Sequence, residues 1–145
     1  CRTPMQWSAE PDAGFSPPEV DELWLPLADE YETVNVERQL ADPTSILNLY
    51  RRLLAYRGET PALKAGRYEP VGGVPEACYA FLRETDDQRI LIALNFSERV
   101  LHLHLPSLGE GALVVSSWLD RAGVVELSAL SLRVNEGVIV ELAHL

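Results

Sequence analysis

The sequence predicts a mainly β protein, an antiparallel sandwich that follows an irregular N-terminal segment and one amphipathic helix. Three observations lead to this prediction. Residues 1–35 contain five prolines and no sustained period, apolar residues recur at helical steps over residues 43–57, and from Gly66 onward the period falls to two. Seven short strand candidates at this spacing are typical of an antiparallel sandwich.

The composition is that of a globular domain with an acidic surface. Among 145 residues, 12 are Lys or Arg and 22 are Asp or Glu, so the formal net charge is −10. A negative charge repels phosphate backbones and anionic lipids, so we expect neither nucleic acid nor a membrane as a partner. Without a charged-then-apolar leader, we expect a cytoplasmic location, in which Cys1 and Cys78 stay reduced.

Residues 1–35 are predicted to form a long loop, which is uncommon in a compact domain unless the loop has a function. Loops on a rigid scaffold often hold binding residues. We interpret two groups of carboxylates in this loop as solvated charges, because the sequence shows no apolar pocket that would separate their pKa values. They are Glu19, Asp21, Glu22, Asp29, Glu30 and Glu32.

The segment ADPTSILNLYRRLLAYRGE carries the signals of a helix over residues 43–57. Asp42 is predicted to cap it, Pro43 to occupy its first position and Gly58 to follow its last turn. A short helical turn is expected before it, at residues 36–40. The three- and four-residue steps give the main helix one apolar face, formed by Ile46, Leu47, Tyr50, Leu53 and Leu54.

Period-two segments separated by turn residues predict the strands. The candidates are RYEPV, CYAFLR, RILIALNF, RVLHLHL, ALVVSSW, LSLRV and GVIVEL. RILIALNF is apolar on both faces and should be a central strand, whereas RVLHLHL alternates and should be half-exposed. The interior side chains are predicted to include Ile90, Ile92, Leu94, Leu101, Leu103 and Leu105.

Two other features have both a functional and a structural interpretation. His102 and His104 could present two metal ligands on one strand face, but strand alternation already explains them as an outer face. Trp24 and Trp118 could be sugar platforms, although we expect Trp118 to fill the sandwich or a domain junction and Trp24 to cover an apolar flank. A carbohydrate-binding module would need an exposed row of aromatics, and Tyr79 and Phe81 share a face that looks like core.

Several motifs together resemble the C-terminal part of glycoside hydrolase family 13 enzymes. They are RTPMQW, AGFS, VNVERQLADPTSILNLYRRLLAYR and RILIALNFS. The subgroup with the strongest resemblance is the exo-acting α-glucosidases, including oligo-1,6-glucosidase, with trehalose synthase and sucrose isomerase as relatives. The resemblance implies that residues 1–60 are the last loop and helix of a catalytic (β/α)8 barrel, and that residues 61–145 form a C-terminal antiparallel Greek-key β-sandwich.

The resemblance also implies a function. It suggests part of a retaining α-glucosidase acting on α-linked gluco-oligosaccharides, with the catalytic carboxylates upstream of this chain. This chain would then contain no catalytic residue and need no metal or cofactor. Arg2 and Gln6 match the loop beside the sugar pocket and are expected to bind substrate, while Ser8 and Asp12 stand where the family pattern often has Asp and Asn.

Two other functions remain open on the sequence: a glucosyl-transferring isomerase of the trehalose synthase or sucrose isomerase type, and a stand-alone carbohydrate-binding β-domain. Partners follow from the same resemblance. We expect an α-glucoside oligosaccharide as substrate. Helix 43–57 is expected to contact either the remainder of the catalytic barrel or a second copy of the chain, because burial of its apolar face is favourable.

Overall fold

The computed structural model describes residues 2–17, 19–20 and 22–143. The chain divides into two compact units, Cys1–Arg51 and Arg52–Leu145, and the boundary falls within the main helix. The predicted fold class is confirmed, since most of the regular structure is antiparallel sheet with few helices. In the part of the chain that is described, no helix is both long and apolar enough to cross a membrane.

The first unit is an extended loop followed by helices. Its only regular element before residue 36, among the residues described there, is a 3-10 turn at Pro11–Gly14. The predicted helical turn is present as α1, Val36–Ala41, whose cap is Asn35. The Asn35 Oδ1 accepts a hydrogen bond from the Arg38 amide at 3.0 Å, and its Nδ2 donates to the Tyr31 carbonyl oxygen at 2.8 Å.

The main helix, α2, spans Ile46–Glu59, so its predicted limits were wrong at both ends. Asp42 follows α1, where its Oδ1 accepts hydrogen bonds from the amide and hydroxyl of Thr44, both at 2.8 Å. Ser45 caps α2, since its Oγ accepts from the Asn48 amide at 3.2 Å. A Ser side chain can satisfy a free amide of the first turn as well as Asp can. The path of the backbone therefore decided that Ser45, and not Asp42, caps α2.

The second unit is a β-sandwich. One layer has six antiparallel strands in the order β1-β2-β3-β8-β5-β6, and the other pairs β4 with β7. The strands are β1 Arg67–Pro70, β2 Cys78–Glu84, β3 Arg89–Asn95, β4 Leu101–Leu103, β5 Glu110–Ser116, β6 Gly123–Glu126, β7 Leu130–Leu132 and β8 Gly137–Leu142. All seven predicted strands are present and β3 is central, but β6 and a short helix α3, Pro61–Ala65, were missed.

The core between the layers corrects the predicted register of β3. Leu91 and Ala93 face the core between the layers, whereas Ile92 and Leu94 lie on the opposite face and are partly exposed. Ile90 is fully buried as predicted, but it also lies on the opposite face and not between the layers. The predictions for Leu103 and Leu105 are confirmed, and Leu101 packs against the core while partly exposed. The core consists of Cys78, Ala80, Leu82, Leu91, Ala93, Leu103, Leu105, Leu113, Leu127, Leu130, Leu132, Val138, Val140 and Leu142.

The outer face of the large sheet anchors the C-terminal half of α2. Arg52 Nη2 donates to the Val114 carbonyl oxygen at 2.8 Å, and the Tyr56 hydroxyl donates to Glu141 Oε2 at 3.2 Å. Burial and the neighbouring Glu141 carboxylate together raise the pKa of Tyr56 to about 12, so the phenol remains a donor at neutral pH. These bonds hold residues 52–56 of the helix on the sheet within the second unit.

Candidate functional site

The N-terminal loop is held in position by the start of α1. The carbonyl oxygens of Gln6 and Trp7 accept hydrogen bonds from the amides of Val36 and Glu37, at 2.9 and 3.0 Å. These amides belong to the first turn of α1, where no partner within the helix exists. The loop therefore satisfies donors that the helix leaves free, and the helix in turn fixes the backbone of the RTPMQW segment.

A left-handed corner turns this loop back on itself. Asp12, Ala13 and Gly14 have φ angles of 55, 56 and 62°, and the Ala13 carbonyl oxygen accepts from the amides of Trp7 and Ser8. Asp tolerates the left-handed region better than most residues, as Asn does, so Asp12 suits the position where the family pattern has Asn. A Cβ atom at Gly14 would lie 2.6 Å from Ser8 Oγ, so a larger residue there would require the Ser8 hydroxyl to move and would adopt a φ angle that favours glycine.

An open cleft of about 550 Å³ lies beside this loop. Arg2 reaches it as an exposed side chain, and Trp24 is largely exposed along its wall. The lining residues are Arg2, Thr3, Pro4, Phe15, Leu23, Trp24 and Leu25. A guanidinium in an apolar cleft with exposed aromatic rings can hydrogen-bond sugar hydroxyls while the rings contact the C–H face of the sugar.

The two predicted substrate-binding residues are separated by the structure. Arg2 lines the cleft, whereas Gln6 is half-buried and does not line it. Gln6 instead contributes through its backbone, which binds α1. Sequence reasoning did not single out Thr3 or Phe15 for the cleft, although both belong to the quoted motifs RTPMQW and AGFS. Gln6 and Arg2 as substrate ligands remain predictions.

The other candidates have structural environments. The described carboxylates of the loop, Glu19, Glu22, Asp29, Glu30 and Glu32, are exposed, and Asp21 lies outside the described residues. Cys1 also lies outside them, and Cys78 is a buried thiol whose pKa is raised by burial. His102 and His104 are both exposed. His104 Nδ1 lies 2.7 Å from the Ser128 carbonyl oxygen.

Within the described ranges, no three His, Cys, Asp or Glu side chains cluster as a metal site would require. The expected filling of the sandwich by Trp118 was wrong, because this side chain is about half-exposed. The Arg133 guanidinium lies 4.4 Å from the Trp118 ring centroid, in a cation–π contact. Neither feature contributes to the cleft beside the N-terminal loop.

A buried carboxylate in the sandwich was missed by the sequence analysis. Glu136 is fully buried, and its two oxygens accept from Ser116 Oγ at 2.6 Å, from Arg121 and Arg133 guanidinium groups at 2.7–2.9 Å, and from the Arg133 amide at 2.8 Å. Burial by itself would raise the pKa of Glu136, but the hydrogen bonds from Arg133, Ser116 and Arg121 outweigh it and lower the pKa to about 2. A carboxylate held ionised in this way is a structural ion pair rather than a proton donor.

Comparison with known proteins indicates the family that this chain resembles. The family described as "Alpha amylase, catalytic domain" matches residues 1–66. Residues 1–66 therefore match the catalytic domain of the α-amylase family, glycoside hydrolase family 13, and the chain is similar to α-glucosidases and a trehalose synthase over about two thirds of its length or more. Its curated relatives include α-glucosidases, trehalose synthases and a trehalose-6-phosphate hydrolase of Escherichia coli.

Three similar proteins give the scale of the match. A probable α-glucosidase of Rhizobium meliloti is 37% identical over 106 residues, which is 73% of this chain and 18% of the relative. A trehalose synthase/amylase of Mycobacterium tuberculosis is 36% identical over 100 residues, 65% of this chain and 17% of the relative. The crystal structure of isomaltulose synthase from Klebsiella sp. LX3 covers 97% of this chain at 26% identity, with a TM-score of 0.83.

The alignments cover most of this chain but only a small part of each relative. The chain spans less than a fifth of the length of the α-glucosidase and trehalose synthase relatives, and a quarter of the isomaltulose synthase chain. A complete (β/α)8 barrel requires about 250 residues. The matched region is therefore a small part of each relative.

Proposed function

We propose that this chain is the C-terminal part of an α-glucosidase that acts on α-linked gluco-oligosaccharides. The observation that supports this most is the 37% identity to a probable α-glucosidase over 106 residues, 73% of this chain. Retaining glycosidases need two carboxyl groups about 5–5.5 Å apart across the scissile bond. The five described carboxylates in residues 19–32 of the loop are exposed, so in this proposal the catalytic pair comes from a preceding part of the protein.

In this proposal the chain has two roles. The cleft beside the N-terminal loop, with Arg2, binds a glucosyl unit through hydrogen bonds. The sandwich holds the last barrel helix in position through Arg52 and Tyr56, which bind the Val114 carbonyl oxygen and Glu141. No cofactor takes part, and a cytoplasmic location belongs to the same proposal.

A glucosyl-transferring isomerase is the second candidate. It is favoured by the 36% identity to a trehalose synthase/amylase and by the TM-score of 0.83 against an isomaltulose synthase. Both candidates break the same kind of glycosidic bond. They differ in the acceptor, which is water in a hydrolase and a sugar hydroxyl in an isomerase, so the products distinguish them.

We expect the complete gene product to release glucose from maltose, isomaltose and p-nitrophenyl α-glucoside. The 145-residue chain alone should release none, because it lacks the catalytic pair. The measurement is product analysis by chromatography, with sucrose and maltose also tested for conversion into isomers. Isomer formation that exceeds glucose release would favour the second candidate. Turnover by the 145-residue chain itself, lost on replacing one of its own carboxylates, would contradict the proposal.

The same assay tests Arg2 as a substrate ligand. Removing a charged hydrogen-bond partner costs about 1.5–3 kcal/mol, so Arg2→Ala in the complete gene product should lower kcat/KM about 10- to 100-fold. Arg99→Ala is the control, because Arg99 is exposed on a turn of the sandwich far from the loop in sequence. An unchanged kcat/KM for Arg2→Ala would assign Arg2 to loop structure instead.

The exposed apolar face of α2 supports the proposal that this helix contacts the remainder of the catalytic barrel or a second copy of the chain. Ile46, Tyr50 and Leu54, one helical turn apart, are 71, 62 and 63% exposed. Such a continuous apolar stripe is unfavourable in water, and burying each side chain contributes about 1.5–3 kcal/mol. We propose that the remainder of the barrel covers this face in the complete protein, and that a second copy covers it when the chain is alone.

The 145-residue chain should therefore self-associate at micromolar concentration, and Tyr50→Ser with Leu54→Ser should shift it toward monomer. Arg51→Ser is the matched control, since Arg51 is exposed on the same helix but outside the apolar stripe. Analytical ultracentrifugation measures both. A parent chain that sediments as a monomer, with the α2 amides protected from hydrogen exchange, would contradict a role for this face in association.

A further inference from the structure

Three aromatic side chains form a continuous surface on the outer face of β1 and β2. The burial of β2 alternates, so Cys78, Ala80 and Leu82 face the core while Tyr79 and Phe81 face outward. This corrects the expectation that Tyr79 and Phe81 belong to the core. Tyr68 on β1 pairs with Arg83, which lies two residues from Phe81 on the same face, so Tyr68 shares that face.

The geometry of the three rings is specific. Phe81 lies between the two tyrosines, with ring centroids 5.3 Å from Tyr68 and 5.4 Å from Tyr79, and the ring planes are tilted by 36° and 47°. The two phenol oxygens are 3.0 Å apart and hydrogen-bonded. Tyr68 and Tyr79 remain 46% and 48% exposed, so the surface is open rather than closed over itself. The phenol hydrogen bond and the sheet hold the rings in fixed relative positions.

This arrangement combines apolar ring faces with polar groups at its centre. The hydrogen bond between two phenols uses one of their two hydrogens, which leaves one donor and several lone pairs available. Sugars present the same combination, because a pyranose ring has an apolar C–H face and a rim of hydroxyls. The tilt between successive rings suits a chain that curves from one sugar to the next better than a flat ligand.

From this geometry we infer that Tyr68, Phe81 and Tyr79 form a binding surface for α-linked glucan chains, separate from the cleft beside the N-terminal loop. The choice of glucan as ligand rests on the α-glucoside specificity proposed above. The surface lies wholly within the sandwich, whereas the cleft is formed by residues 2–25. A neutral polyol also suits a chain with a formal net charge of −10, which repels anionic ligands. The surface would keep a polymeric substrate close to the enzyme without acting on it.

Native electrophoresis of the complete gene product, in gels with and without soluble starch or dextran, tests this inference. The parent protein should be retarded by at least one of the two polysaccharides. Tyr79→Ala and Tyr68→Ala should each weaken binding about tenfold, because each removes a half-exposed ring whose burial under a sugar is favourable. Tyr79→Phe keeps the ring and should keep most of the retardation. Val124→Ala, an exposed substitution on β6 at the far edge of the sheet, is the matched control.

Every outcome bears on the inference. An unretarded parent protein would overturn it, and would indicate that another part of the protein covers these rings. Retardation that both Ala variants retain would assign binding to a different site, and equal losses for Tyr79→Phe and Tyr79→Ala would exclude stacking. Hydrolysis of p-nitrophenyl α-glucoside, which carries a single glucose, is measured on the same preparations and should be unchanged in all variants. Absence of that activity in the parent would contradict the proposed function, whereas loss of retardation with activity intact concerns only the aromatic surface.

Discussion

Leu103→Asp is expected to abolish cooperative folding of the sandwich. Leu103 is 2% exposed in β4, where it pairs with Leu130 of β7 and faces the core of the large sheet. An unpaired carboxylate at this position has no partner that could compensate its desolvation. The cost is several kcal/mol, which is comparable with the roughly 5–15 kcal/mol total stability of a domain.

His102→Asp is the matched control for this variant. His102 is the adjacent residue of the same strand, and its side chain is exposed. The His102→Asp variant should melt within a few degrees of the parent protein. Leu103→Ala should lower the free energy of unfolding by about 2–5 kcal/mol, because it leaves a cavity. Thermal unfolding followed by circular dichroism measures all three. A Leu103→Asp variant that melts with the parent would show that β4 presents its other face to the core.

Replacing Glu136 by Ala should cost about 3 kcal/mol, because two partly buried guanidinium groups lose the fully buried carboxylate that neutralises them. Both Arg121 and Arg133 bind this carboxylate, and Ser116 on β5 donates to it as well. The network joins β5, the β7–β8 turn and the segment before β6. Denaturant unfolding of parent and variant measures the difference, with the exposed Glu126→Ala as control.

The difference in unfolding free energy between the parent protein and Glu136→Ala should depend on pH, because folding changes the pKa of Glu136. Its folded value of about 2 lies below the ordinary 4.5, so the unfolded chain takes up the proton first as pH falls. The contribution to stability, about 3 kcal/mol by linkage, is therefore complete above about pH 4.5 and is lost as pH falls toward 2. A difference between parent and Glu136→Ala that stays constant over this range would contradict the ion-pair assignment.

Comparison with the variant is needed because other carboxylates respond to acid in the same direction. Hydrogen bonds from Arg133 lower the pKa of Asp120, and those from Arg89 and Arg67 lower the pKa of Glu84. Both carboxylates are more exposed than Glu136, and ion pairs contribute less to stability as they become more exposed. The difference between parent and variant isolates the buried carboxylate from these background terms.

The order of elements could be predicted from the sequence because each element has a local signal. The helical steps of α2 and the period of two after Gly66 reflect which side chains meet on one face of a helix or strand, and this is a property of neighbouring residues. β6 was missed because it is a mostly exposed edge strand without apolar alternation, and α3 because it has only five residues and follows α2 almost directly. The motif RTPMQW predicted a loop of functional interest, and Arg2 does line a cleft.

Tertiary structure alone decided which face of β3 is the interior. The strand RILIALN is apolar at nearly every position, so its period cannot distinguish Leu91 from Ile92. Leu91 pairs with Leu82, and both face β4 and β7, while Ile92 pairs with Phe81 on the face that carries the exposed aromatic rings. For the same reason Tyr79 and Phe81 lie on the outer face of β2 and not in the predicted core. The Glu136 network likewise joins residues up to 20 positions apart. A local period cannot encode contacts between such distant segments, and these contacts decide which face of a strand is buried and which charges meet.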